Sequence, residues 1–151
     1  MITSTREFAT SIWRQQMTEA TASSDAESAN GEDLTPPMTE AEISEVFVAF
    51  RRAFRDRDTV GLVATWTPDV RVWHSADPRE KDRDEYLAFI AELPRRNVEF
   101  VDVRREYFRN GFVQQQIVEF DLPDGGQYRS QLCLVVKMQN GRISRIDEYS
   151  A

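Results

Sequence analysis

The sequence predicts an α+β fold, three helices packed on a strongly bent antiparallel sheet, and three observations carry that prediction. Apolar residues recur at helical spacing between residues 39 and 94, interrupted by one short strand. The period then changes to alternation, and the turn signals "RNGF", "PDGG" and "QNGR" divide the remainder into four long strands. Helices first and strands afterwards is the α+β pattern, with the helices collected on one face of the sheet. A chain of 151 residues with 40% hydrophobic content suits one domain with one core.

Residues 1–38 read as an N-terminal extension. Phe8, Ile12, Trp13 and Met17 make a weak apolar stripe that fits a short docking helix and equally a loose terminus. The stretch "TASSDAESANGEDLTPP", small, acidic and closed by Pro-Pro, reads as a linker. The domain, residues 39–151, opens with Thr39 and Glu42 at capping-box spacing ahead of Ile43, Val46, Phe47, Phe50 and Phe54. Asp58 caps a second helix carrying Leu62, Val63 and Trp66, which Pro68 stops. The short strand "VRVWH" follows. A third helix opens near Asp82 or Asp84, carries Tyr86, Leu87, Phe89, Ile90 and Leu93, and ends against Pro94. The long strands fall near 97–109, 112–122, 127–138 and 142–149. Asn-Gly in two of the three connections predicts tight hairpin turns, whose two central residues need positive φ.

Composition excludes several functions. A net charge of −7 and a pI near 4.8 argue against nucleic acid and against an anionic membrane as partners. One cysteine, Cys133, cannot form an internal disulfide, and no apolar run marks a signal peptide or a membrane span, so a cytoplasmic protein is expected. One histidine and one cysteine without mutual spacing make no zinc site, Asp82, Asp84 and Glu85 belong to a helix start, and "DGG" belongs to a hairpin. Neither a metal nor a cofactor is expected.

The order of elements, with "WTPDVRVWH" after the second helix and "NGRISRIDEYSA" closing the last strand, resembles the nuclear transport factor 2-like superfamily. Within it the resemblance is to the SnoaL-like and ketosteroid-isomerase-like enzymes, over residues 39–151. It implies a cone of helices and curved sheet around a deep apolar pocket, commonly dimeric through the outer sheet face. Matching "DVRVWH" to the isomerase strand puts His74 where that family keeps its general base. The isomerases' two oxyanion donors match Phe50 and Cys133, neither of which supplies a short hydrogen bond to an enolate. Of the limonene-epoxide-hydrolase triad, the Arg position matches Gln116, one Asp matches Val118, and only the last-strand acid remains, as Glu148. Neither of those two reactions is implied.

The expected site is therefore an apolar cavity with few polar groups, a composition that suits small-molecule binding. Phe50, Phe54, Trp66, Phe89, Phe112 and Phe120 are its walls, provided that Phe112, Gln114, Gln116, Val118 and Phe120 form the inward face of their strand; the opposite parity would bury Glu119. His74, with an ordinary pKa near 6.5, is the expected base. Glu148 orients it or acts as the conjugate acid, and Gln114 and Gln116 donate to a substrate oxygen. The implied activity is that of a cofactor-independent lyase or isomerase: dehydration, double-bond shift or aldol-type cyclisation of a hydrophobic oxygenated molecule. A non-catalytic binding or dimeric assembly module of the same fold fits the sequence too.

Overall fold

The structure, a computed structural model, describes residues 36–93 and 96–151. The expected N-terminal stripe and almost all of the acidic linker lie outside the described residues.

Helix α1 (Glu40–Asp56) has closed ends and one apolar face. The Thr39 hydroxyl accepts from the Glu42 N–H at 3.2 Å while the Glu42 carboxylate accepts from the Thr39 N–H at 2.7 Å, which satisfies two otherwise orphaned donors. Arg57 ends the helix in the left-handed conformation, φ 56°, and Ile43, Phe47, Phe50 and Ala53 are buried. Helix α2 (Thr59–Thr65) starts on Asp58, whose carboxylate accepts the Gly61 N–H at 2.9 Å. It stops one residue short of Trp66, which the sequence pattern put in the helix and which instead opens strand β1 (Trp66–His74). Pro68 thus lies inside a strand. The strand accepts it because its pairing slips between Trp66 and Arg71, and a residue without an N–H fits such an irregular stretch.

Strand β2 (Asp77–Lys81) turns back along β1, with His74 opposite Asp77 and Val72 opposite Lys81. It is an edge strand with no apolar alternation, and the sequence pattern predicts nothing there. Helix α3 (Arg83–Glu92) begins with a capping box between Asp82 and Glu85. Strands β3 (Arg96–Phe108), β4 (Gly111–Asp121), β5 (Gln127–Gln139) and β6 (Arg142–Ser150) form the predicted antiparallel meander. Strand β1 then joins β6 in parallel, so the six-stranded sheet is mixed, in the order β2-β1-β6-β5-β4-β3.

The β5–β6 turn uses its Asn-Gly pair as expected, with φ of 51° at Asn140 and 75° at Gly141. At the β3–β4 turn only Asn110 has positive φ, 55°. Gly111 is needed there for space: a Cβ would come within 2.4 Å of the Phe108 ring and the Val136 carbonyl. No helix among the described residues is long and apolar enough to cross a membrane.

The core sits between the three helices and the sheet. Phe112 is fully enclosed, its ring meeting Phe47 edge-on at 4.8 Å, and Trp66 packs against Phe50 and Tyr86. Phe112→Ala should therefore lower the unfolding free energy by about 3–5 kcal/mol, the range for emptying a buried aromatic site. Urea denaturation measures this as a lower midpoint at unchanged slope; a loss below about 1 kcal/mol would mean that the site collapses or was never tightly packed.

Candidate active site

The register of the sheet builds the site. Gln114 of β4 pairs with Leu134 of β5, Leu134 with Glu148 of β6, and Glu148 with His74 of β1, so four side chains form one row across the face toward the helices. Gln116 stands one pleat repeat further along β4, opposite Leu132. Between this face and helices α1 and α3 is a cavity of about 410 Å³, within the range of small-molecule pockets. Its walls are mainly aromatic and aliphatic, with Phe50, Phe54, Phe89, Phe120, Leu134 and Ile146 among them.

Charged and amide side chains enter the cavity in two groups. In the first, His74 Nε2 lies 3.1 Å from Glu148 Oε1, and His74 Nδ1 accepts the Ala76 N–H at 2.9 Å. A backbone N–H can only donate, so the neutral ring keeps Nδ1 unprotonated and directs Nε2–H at Glu148. Both ring nitrogens are therefore engaged, and the open lone pairs of the pair belong to the carboxylate. The hydrogen bond to Glu148 draws the His74 pKa above its ordinary value near 6.5; burial and the Lys81 charge oppose it. Lys81, whose side chain is 11% exposed, donates to Asp77 at 2.6 Å and lies 5.3 Å from the centre of the Phe89 ring. The Lys81 ammonium, then the Arg79 N–H, hold the Asp77 carboxyl below the usual range.

The second group comes from α1 and β4. Arg51 donates through Nη2 to Gln116 Oε1 and to Asp102 Oδ1. Its guanidinium packs over the rings of Phe47 and Phe100, at 4.6 and 5.0 Å from their centroids. Arg51, Lys81 and Asp77 are not among the residues expected from sequence. The usable signal for Arg51 is its place four residues after Phe47 and three before Phe54, on the apolar side of the helix. Lys81 and Asp77 offer none, since both ride on the unpredicted strand β2.

Of the expected residues, His74, Glu148, Phe50, Phe54, Phe89, Gln116 and Phe120 line the cavity. Three others do not. Trp66 and Phe112 belong to the core, where neighbouring rings cover them. Gln114 is 1% exposed and its amide is taken: Oε1 accepts from Arg105 at 2.6 Å, while Nε2 donates to Asp102 and to the Gln115 carbonyl. Cys133, matched from sequence to a donor position, faces the other side of the sheet, in register with Tyr149 and Gln115. Leu132 and Leu134 hold the cavity-facing places beside it. Burial raises the Cys133 thiol pKa, the opposite of what a nucleophile needs.

A raised folded-state pKa means that protonated His74 stabilises the fold. That contribution is fully present below the unfolded value near 6.5 and is lost as pH rises through the raised value. Glu148→Gln should move the imidazole midpoint back down toward 6.5, read by NMR titration. The stability advantage of the wild type over this variant, read by chemical denaturation, should be largest at mildly acid pH and shrink on alkalinisation. A midpoint unmoved by the substitution would separate the two residues.

The family model described as the SnoaL-like domain matches residues 47–146. Similar solved structures include an NTF2-like protein of unknown function from Burkholderia pseudomallei K96243, 21% identical over 74% of this chain and 90% of that one, with a TM-score of 0.63. A candidate SnoaL-like polyketide cyclase from Jannaschia sp. CCS1 is 16% identical over 80% of this chain and 91% of that one, with a TM-score of 0.65. TerC co-crystallised with polyporic acid is 16% identical over 71% of this chain and 89% of that one, with a TM-score of 0.60. None of the curated proteins matches the chain. At these identities the structural likeness shows the fold alone. The family match runs from α1 to β6 and takes in most of the cavity wall, and on it the chain belongs to the SnoaL-like domain family, with the nuclear transport factor 2-like fold.

Proposed function

We propose that the protein is a cofactor-independent proton-transfer catalyst acting on a hydrophobic, oxygenated small molecule. Dehydration, double-bond migration and aldol-type cyclisation are the reactions such a site suits. The observation that carries this reading is the His74–Glu148 pair opening onto an otherwise apolar cavity. The roles differ from those expected from sequence, because His74 has no free lone pair in the structure. Glu148 takes the proton: a C–H bond of the substrate breaks, its electron pair enters the conjugated system, and the proton passes to the carboxylate. His74 holds Glu148 in place through Nε2–H. Lys81, with two of its three donors left after Asp77, meets negative charge developing on the substrate oxygen. Return of the proton to another carbon gives isomerisation; its delivery to a departing hydroxyl gives dehydration.

TerC, co-crystallised with polyporic acid, and the candidate polyketide cyclase from Jannaschia sp. CCS1 support an aromatic, oxygenated ligand class on the same fold. A homodimer through the outer sheet face, in a cytoplasmic setting, completes the proposal. Val101 and Val103, 49% and 61% exposed on β3, and the Trp73–Tyr149 ring pair support that contact surface. Sequestration without chemistry is the second reading, favoured by the engagement of both His74 nitrogens.

Deuterium incorporation at the acidic carbon of 2-tetralone in D₂O tests the proton step without knowledge of the natural substrate. The wild type should accelerate exchange over buffer, and Glu148→Gln should lose about 10²–10⁴-fold with its circular dichroism unchanged. Saturable binding of the ketone with exchange no faster than in buffer would leave sequestration as the function.

A further inference from the structure

We infer that the Arg51–Gln116 end of the cavity is a recognition site for a carboxylate, so that the protein selects aromatic or polycyclic acids over neutral compounds of the same shape. The inference deepens the reading of the cavity as a ligand site and does not require Glu148 to act as a base.

Donor direction is the first support. Both hydrogen bonds of Arg51 leave from Nη2, and its Nε–H is buried without a partner among the described residues. No bond leaves Nη1 among the described residues, so both of its donors are left for a carboxylate that enters the cavity Arg51 lines. Arginine has only donors, so the Gln116 oxygen must face Arg51, and the Gln116 NH₂ is left to the cavity that this residue lines. Arg51 and the Gln116 amide thus present donors around one place.

Charge is the second support. Arg51, Arg55 and Arg105 gather around the rings of Phe47 and Phe100, and the carboxylate bonded to this group is Asp102, whose side chain is 56% exposed. Arg55 donates to the Val98 carbonyl, and Arg105 to Gln114, Ser44 and Tyr107, all of them neutral. Of the three, Arg51 lines the cavity, with the other two behind it, so this end carries a positive charge toward a ligand in a chain of net charge −7. Low-dielectric aromatic walls focus such a field.

Geometry then orients the ligand. Gln116 and Glu148 are separated by two inter-strand steps and one pleat repeat, roughly 12 Å along the sheet. An acid anchored on Arg51 lays its apolar body along Phe50, Phe54 and Leu134 and brings its far end to Glu148.

The test is the affinity of 2-naphthoate against its methyl ester, by calorimetry near neutral pH. The wild type should prefer the acid by about tenfold or more. Arg51→Gln should remove the preference while leaving ester affinity within about twofold, and Gln116→Leu, which keeps the cation, should cut it severalfold. Equal binding of acid and ester, a preference that survives both substitutions, or no saturable binding of the acid would overturn the inference. Glu148→Gln distinguishes the two proposals, since it should cut deuterium exchange by the same about 10²–10⁴-fold and leave the acid preference intact. Preference without exchange in the wild type defeats the catalytic reading alone; exchange without preference defeats the carboxylate site alone.

Discussion

Parallel pairing of β1 with β6 is the constraint on which the site depends. It places His74 opposite Glu148 and is locked at its end by the Ser75 N–H, which donates to the Glu148 carbonyl at 2.8 Å, and by the Ser150 N–H, which donates to the Ser75 hydroxyl at 3.0 Å. A slip of one residue would turn one partner to the outer face and dissolve the pair. The slip is opposed by burial, since Val70 and Val72 of β1 and Ile143 and Ile146 of β6 are all in the core. Apolar packing along two strands thereby fixes a polar contact at their ends.

Helix α1 governs the other end of the cavity. It carries an arginine on a face otherwise made of Ile43, Phe47, Phe50 and Ala53, and burial of that cation is tolerated only because partners surround it. Phe47 has Arg51 4.6 Å and Arg105 5.1 Å from its centroid, so one core ring supports two guanidiniums. Gln114 and Asp102 tie Arg105 and Arg51 together across β3 and β4. Gln114, read from sequence as a ligand contact, is better described as a strut of this network.

What the sequence made legible was whatever rests on periodicity and caps. Thr39 with Glu42 and Asp82 each announce a helix, the change of period after residue 94 announces the meander, and the inward parity of Phe112 to Phe120 follows from refusing to bury Glu119. Strand β2 escaped because "DPREK" has no alternation, and an edge strand needs little apolar surface. Trp66 was misplaced because helix and strand patterns overlap for a single aromatic after a short helix. In the site, the family resemblance pointed to His74 and Glu148, but the division of labour proposed for them rests on the Ala76 N–H, a backbone contact that no side-chain pattern encodes. Arg51 was hidden by its charge, which reads as solvent-facing until the rings beneath it are seen.

The central claim is that His74 serves Glu148 and is not itself the base. The most direct test is the tautomer of the neutral ring, read from the ¹⁵N shifts and couplings of the chain's only imidazole at a pH above its midpoint. The structure predicts a pyrrole-like Nε2 that carries the proton and a pyridine-like Nδ1 that does not. A ring protonated at Nδ1, with the Nε2 lone pair free, would contradict the account and return the base to His74.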